Sequence, residues 1–287
     1  MTSIRAVVVG GTNGIGYAMA CRIAASSSAS SSIIVSGRTK PATLPQTNME
    51  FRRLDASSMR EIKRYTDELK ASGPKLDLLV LTQGILTFQG RTETPEGIDQ
   101  KMSLHYYGKQ LLIRELLPFL NDAARVIIVL DGTRGSPSKL IWDDLDLKKN
   151  YSLQKAADHC VSMNDGMVQY WAKAQPDAPA SAKRHFIHAY PGAVNTNIFN
   201  QIAPSFLRRP LNALSSLALT SPETCAERLL DGTEQRVAEG TKEGRFWSNI
   251  DNKGKSAENR AIWTEEQITK LTDHTWSVVD TALSVKK

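Results

Sequence analysis

Residues 7–20 read VVVGGTNGIGYAMA, three valines that pass through a glycine-rich turn into a helix-forming segment. No other stretch limits the fold as strongly. Gly10, Gly14 and Gly16 follow a strand and open a helix, the context in which backbone N–H groups approach a pyrophosphate at a helix N-terminus. Thr12, Asn13 and Ile15 fill the same turn. A glycine pattern alone is weak, but here strand and helix are both present, and dinucleotide binding follows.

The rest of the chain supplies the matching pattern. Short runs of β-branched and aliphatic residues bounded by turn residues predict strands at 4–9, 33–36, 49–53, 76–81, 125–130, 184–190 and 245–248. Several are apolar without alternation, as strands covered on both faces are. Helix starts fall between them. Ser58 with Glu61 reads as a capping box, Thr94-Pro95-Glu96 and Ser221-Pro222-Glu223 as caps before proline at the first helical position, and Thr264 with Gln267 opens a last helix over 264–283. That helix carries an apolar stripe (Ile262, Trp263, Ile268, Leu271, Trp276, Val279, Leu283) suited to packing on the domain or on a second subunit. Alternating strand and helix predict an α/β fold: a Rossmann-type doubly wound parallel sheet of about seven strands, helices on both faces, in a single domain over 1–287. A chain of 287 residues with 41% apolar content can bury one such core. The serine-rich run at 24–32 reads as a connector.

The formal charge of +6 comes from short pairs such as Arg52-Arg53 and Arg208-Arg209, without the interleaved aromatics of a nucleic-acid surface. The excess suits an anionic cofactor better, and no nucleic-acid partner is expected. Three widely spaced cysteines, Cys21, Cys160 and Cys225, fit a reducing compartment and neither a disulfide framework nor a metal site. With no apolar run near 20 residues and no signal-like N-terminus, a cytoplasmic protein without a transmembrane segment is expected.

Gly-x-x-x-Gly-Ile-Gly at 10–16, Asp55 after the third strand, DLLVLTQGI after the fourth and HAYPGAVNT after the sixth together resemble the short-chain dehydrogenase/reductase family, in the family's order and over almost the whole chain. The resemblance implies an NAD(P)(H)-binding oxidoreductase, with a homodimer or homotetramer as the common assembly. It implies that Asp55 and Ala56 face the adenine, that Gly84 backs the adenine ribose, and that Val194 and Thr196, after Pro191 and Gly192, hold the nicotinamide amide and the pyrophosphate. The second strand ends IIVSGRTK, with Arg38 where an acidic residue would grip a ribose 2'-hydroxyl. A guanidinium suits a 2'-phosphate, so NADP(H) is the expected cofactor.

In this family a serine, a tyrosine and lysine at i and i+4, and a helix asparagine form the proton relay. Here His105 stands at the asparagine position of LHYYG, and Asp131 ends the fifth strand where the serine is expected. Two registers remain for the tyrosine and lysine. The literal one takes Tyr151 and Lys155. The other follows the family's retinol-dehydrogenase-like branch, which carries a segment similar to IWDDLDLKKNYS, and lands on Ala157 and Val161. A helix running from 151 to 175 would be about 37 Å long and one from 157 about 28 Å, against strands of about 17–20 Å, so the shorter fits better. In that register Asp165 shares the helix face of 157 and 161, and Asp165, His105 and Arg134 become the polar candidates of the cleft.

YSLQKAADHCVSMNDGMVQ followed by FIHAYPGAVNTNIF resembles a fungal secondary-metabolism branch, some members of which lack the tyrosine–lysine pair and reduce iminium intermediates or guide cyclisation with an aspartate. The oily segment 197–220 lies where the family builds its substrate lid, and an apolar lid implies a large, weakly polar substrate, a lipophilic small molecule. An oxidoreductase acting on a carbonyl or imine is the leading expectation. A non-redox cyclase or isomerase and an NADP(H)-sensing binding protein are the alternatives.

Overall fold

The computed structural model describes residues 3–196 and 219–285. Seven strands, β1 (Arg5–Val9), β2 (Ser32–Gly37), β3 (Met49–Arg53), β4 (Leu76–Leu81), β5 (Leu120–Val129), β6 (His185–Ala189) and β7 (Trp247–Ile250), form one sheet in the order β3-β2-β1-β4-β5-β6-β7. Every pairing is parallel. The unbroken valine run of β1 follows from burial on both sides. Val7 and Val9 enter one core and Ala6 and Val8 the other, because successive side chains leave opposite faces.

Helices α1 (Gly14–Ser26) and α5 (Pro222–Glu243) cover the Val8 face. The Val7 face is covered by four helices. These are α2 (Met59–Ala71), α3 over 100–116, α4 (Leu153–Lys173) and α6 (Glu265–Ser284). Helix α3 is interrupted by a π-turn at Ser103–Tyr107, between Gln100–Met102 and Gly108–Leu116. From β1 the chain runs to β2 and β3 on one side and to β4 onward on the other. The crevice at the C-terminal ends of β1 and β4 is therefore the topological switch point, where ligands bind in open α/β sheets.

The predicted caps fare unequally. Ser221 caps α5, and Thr264 with Gln267 closes a full capping box on α6. Thr94 opens no helix: Thr94 and Ile98 close a turn through Gly97 (φ 80°), and Asp99 caps α3 by accepting from the amides of Lys101 and Met102. The reason is tertiary, for Glu96 reaches the N-terminus of α2 and accepts from Ser58 Oγ and from the Met59 and Arg60 amides. The apolar stripe of the last helix packs on its own domain. Leu271 and Val279 are buried, while Thr275 and His274 bond the hydroxyls of Tyr106 and Tyr107 on α3. Ile262, before the helix, remains 72% exposed. The lid expected at 197–220 lies outside the described residues except for its last two. No helix among the described residues is long and apolar enough to cross a membrane.

Candidate functional site

At the switch point lies a cavity of about 530 Å³, lined by Gly10, Thr12, Asn13, Gly14, Ile15 and Gly16 from the turn and by Arg38, Asp55, Ala56, Gly84 and Thr196 around it. The turn is shaped by contacts only glycine permits. Gly10 has φ 80°, and a Cβ there would stand 2.6 Å from the Gln83 amide nitrogen. Its amide donates to Ser36 at 2.8 Å, tying the turn to β2. Asn13 caps α1 and accepts from the Gly14 amide at 2.7 Å. The first-turn amides of α1 therefore end at a cradle without side chains, which suits a phosphate.

Arg38 is exposed at the end of β2 with Thr39 and Lys40 beside it on the cavity wall. Neither Arg38 nor Lys40 forms an ion pair among the described residues. Asp55 accepts from the Ser57 amide and hydroxyl, at 3.0 and 2.6 Å. Pro191, Gly192 and Val194 fall outside the cavity wall. Gly192 (φ 73°) abuts Asn252, and Val194 forms a bridge with Thr220.

His105 sits in the π-turn, a deformation common at functional sites. Its Nε2 lies 2.9 Å from the Ile85 carbonyl, to which it donates, and burial pushes its pKa down to about 4. The Nδ1 atom is buried with no partner among the described residues. Asn164 on α4 donates to the His105 carbonyl at 2.9 Å and accepts from Gln110, which in turn accepts from the Trp171 indole. At the end of β5, Asp131 accepts from Thr133 Oγ1 and from Arg134 Nε, both at 2.6 Å. Burial alone would raise this carboxyl, but those hydrogen bonds outweigh it and hold it below the usual carboxylate range. Arg134 itself is 66% exposed.

The helix that carries the tyrosine registers starts at a cap between them. Ser152, with extended backbone, accepts from the Lys155 amide at 3.1 Å, and α4 begins at Leu153, between the two expected starts. Tyr151 thus precedes the helix and does not share its face with Lys155. The Tyr151 hydroxyl is buried, the Lys101 ammonium lies 5.4 Å from its ring centre, and burial raises its pKa against the opposing pull of that ammonium. The Lys155 side chain is exposed. Neither residue lines the cavity.

Asp165 does not line it either. It is 3% exposed and centres a polar cluster beneath the loop after β5. One oxygen takes His188 Nδ1 of β6 and, at 2.6 Å, Asn249 Nδ2 of β7; the other takes Arg260 at 2.5 Å. The same guanidinium donates to the carbonyls of Thr133 and Gly135. Loop 131–136 is therefore clamped from below.

Sequence reasoning missed Arg260, His188 and Asn249, together with Lys109 and Gln83. Lys109 is fully buried and donates to the last carbonyls of β4 and β5, Leu81 at 3.1 Å and Val129 at 2.9 Å, while burial lowers its pKa to about 7. A lysine directly after Gly108, in an otherwise apolar helix face, was the available signal.

Residues 5–135 match the short chain dehydrogenase family. A protein from Emericella nidulans described as oxidoreductase AN1596 is 33% identical over 71% of this chain and 62% of its own length. Oxidoreductase andH of Emericella variicolor is 28% identical over 72% of this chain and 63% of its own. The chain thus spans less than two thirds of either relative. Among solved structures, an NADPH-bound carbonyl reductase from chicken fatty liver superposes with a TM-score of 0.59 at 14% identity, covering 92% of this chain and all of that one, 100%.

Proposed function

Since the chain belongs to the short-chain dehydrogenase family, we propose that it is an NADP(H)-dependent oxidoreductase reducing an iminium, imine or carbonyl carbon of a lipophilic metabolite in fungal secondary metabolism. The observation that carries this reading is the switch-point cavity, whose glycine turn is open to a pyrophosphate and whose β2 wall offers Arg38 and Lys40 in place of a carboxylate. A guanidinium and an ammonium together neutralise a 2'-phosphate, whereas a plain ribose would leave them unused. When bound, the nicotinamide group supplies or accepts a hydride.

The chain's own residues bind and orient. The first turn of α1 takes the pyrophosphate, Asp55 and Ala56 border the adenine, and Thr196 closes over Gly14. Proton transfer is less well provided for. His105 is neutral at physiological pH, Asp131 is held as an anion, Asp165 is locked in an ion pair, and Tyr151 lies off the helix with a raised pKa. A general acid works best with a pKa near the operating pH, and His105, Asp131 and Tyr151 are all displaced away from it. Reducing a ketone requires a proton on oxygen, but an iminium carbon takes hydride and leaves a neutral amine. The reading therefore favours an iminium substrate.

NADPH oxidation measured with matched cyclic iminium salts and ketones tests this. Iminium turnover at least about tenfold faster at neutral pH is expected. Equal rates on ketones would overturn the preference, and product formed without NADPH oxidation would favour a non-redox cyclase or isomerase instead.

A further inference from the structure

Gln83 follows β4 and lines the cavity wall, yet is only 6% exposed. Its side-chain amide is unusual in having no partner at either end: Nε2 donates to nothing and Oε1 accepts from nothing among the described residues. Burying an amide without hydrogen bonds is costly, so native structures rarely keep one unless something else satisfies it. The polar groups nearby are already engaged. Thr82 Oγ1 donates to the Val9 carbonyl at 3.0 Å, the Ser36 hydroxyl meets the Tyr65 hydroxyl at 2.5 Å, and the Ile85 carbonyl takes His105. Gln83 is also held in place, because its backbone packs on the φ-positive Gly10 of the phosphate turn.

One donor and one acceptor on a planar amide match a vicinal diol, in which one hydroxyl oxygen accepts while its neighbour donates. We infer that the Gln83 amide binds the 2',3'-diol of the nicotinamide ribose, with Nε2 donating to one hydroxyl and Oε1 accepting from the other. The choice of ribose follows from chemistry. With a 2'-phosphate beside Arg38 the adenosine ribose has no free vicinal diol, and the nicotinamide ribose keeps its own. The inference rests on the NADP(H) reading above and adds a residue that specifies how the reactive half of the cofactor is held.

Calorimetric titration of wild type and Gln83→Met with three ligands tests it. NADPH carries both riboses and the nicotinamide; 2'-phospho-ADP-ribose keeps the second ribose but lacks the nicotinamide; adenosine 2',5'-bisphosphate lacks both. Gln83→Met is expected to weaken the first two by a similar factor, about ten- to thirtyfold, and the third by less than twofold. Its ligand-free melting temperature should hold or rise, since an unpaired buried amide has been replaced by an apolar chain of similar size. An unchanged NADPH affinity overturns the inference. So does a loss confined to NADPH, which would mark a nicotinamide carboxamide contact, or an equal loss for all three ligands, which would mark the adenosine half. Should Gln83→Met not fold, Gln83→Asn carries the same comparison, its shorter amide being unable to span the diol. A wild type that binds none of the three refutes the cofactor reading itself, a result distinct from the others.

Discussion

Replacing Asp165 with Asn separates a catalytic carboxylate from one that holds the site together. The substitution keeps shape and size but turns one acceptor oxygen into a donor. The carboxylate serves three donors on two oxygens, His188 and Asn249 on one and Arg260 on the other, and is 3% exposed. Whichever way the new amide turns, its NH₂ faces a donor. With the NH₂ turned towards it, Arg260, whose side chain is 12% exposed, would keep only the Thr133 and Gly135 carbonyls, and with the NH₂ turned the other way it would face His188 and Asn249. Breaking a buried pair by removing one partner costs about 3–5 kcal/mol. In a domain of this size each kcal/mol lowers the melting temperature by about 2–4 °C, so a drop of roughly 6–20 °C is expected. Thermal and urea melts of Asp165→Asn, Arg260→Met and the double variant complete a cycle, whose coupling energy should reach about 2 kcal/mol because both act on one contact. Activity should fall with stability, through a loosened 131–136 loop. A variant that melts within 2 °C of wild type, as roughly experimental error, but loses about a hundredfold in kcat would refute the argument and return Asp165 to the chemistry.

Three further outcomes are expected. Arg38→Ala should weaken NADPH about ten- to a hundredfold while leaving NADH within about threefold, since only the former offers a phosphate to the guanidinium; equal losses in binding titrations would remove the 2'-phosphate assignment. Tyr151→Phe and Lys155→Ala should each keep kcat within about twofold, because neither side chain lines the cavity and the Lys155 ammonium is exposed; a kcat loss of about a hundredfold in either would restore the literal relay. Burial depresses both His105 and His185 to about 4 from a usual 6.5, so between those values the unfolded chain takes up protons that the folded chain refuses. Stability contributed by their neutral forms is complete above pH 6.5 and is lost as pH falls towards 4. Urea midpoints at pH 7 and pH 5 measure it, and equal midpoints would contradict the burial of these rings.

What was legible in the sequence was what local pattern determines. The central strands β1, β2 and β4 announced themselves because burial on both faces leaves mostly Val, Ile and Leu in them, and the glycine turn because backbone strain and close approach admit no other residue at Gly10. The last strand slipped by two residues, since pairing with β6 begins only where Trp247 meets Phe186. Phe246, expected inside it, packs edge-on against the His185 ring. Thr94-Pro95-Glu96 has the composition of a helix start, but Glu96 caps a helix 36–38 residues earlier, a contact that no local rule contains. Asp165 was found by its helical spacing from 157 and 161. Its surroundings were not, because Arg260 arrives from 95 residues further on and His188 from the next strand.

The same limit applies to the tyrosine–lysine spacing. Spacing by four places two side chains on one face only if both lie inside one helix. Asp144 accepts from the amides of Lys149 and Asn150, and His159 holds the segment from the other side by donating to Leu145 and accepting from Ile141. The chain therefore reaches Ser152 in extended form, and the cap falls between Tyr151 and Lys155. In the displaced register the corresponding residues of α4, Ala157 and Val161, carry no group that transfers protons. The polar groups on and beside α4 are engaged with protein: His159 with the insert, Asn164 with the π-turn, Asp165 with Arg260. Gln83, by contrast, keeps its hydrogen-bonding capacity unused on the cavity wall. On the function proposed above, a scaffold whose Asp131 and Asp165 are engaged with protein and whose Gln83 amide has no partner among the described residues is better equipped to hold a hydride donor than to deliver a proton, and a cationic carbon is the acceptor that needs only the first.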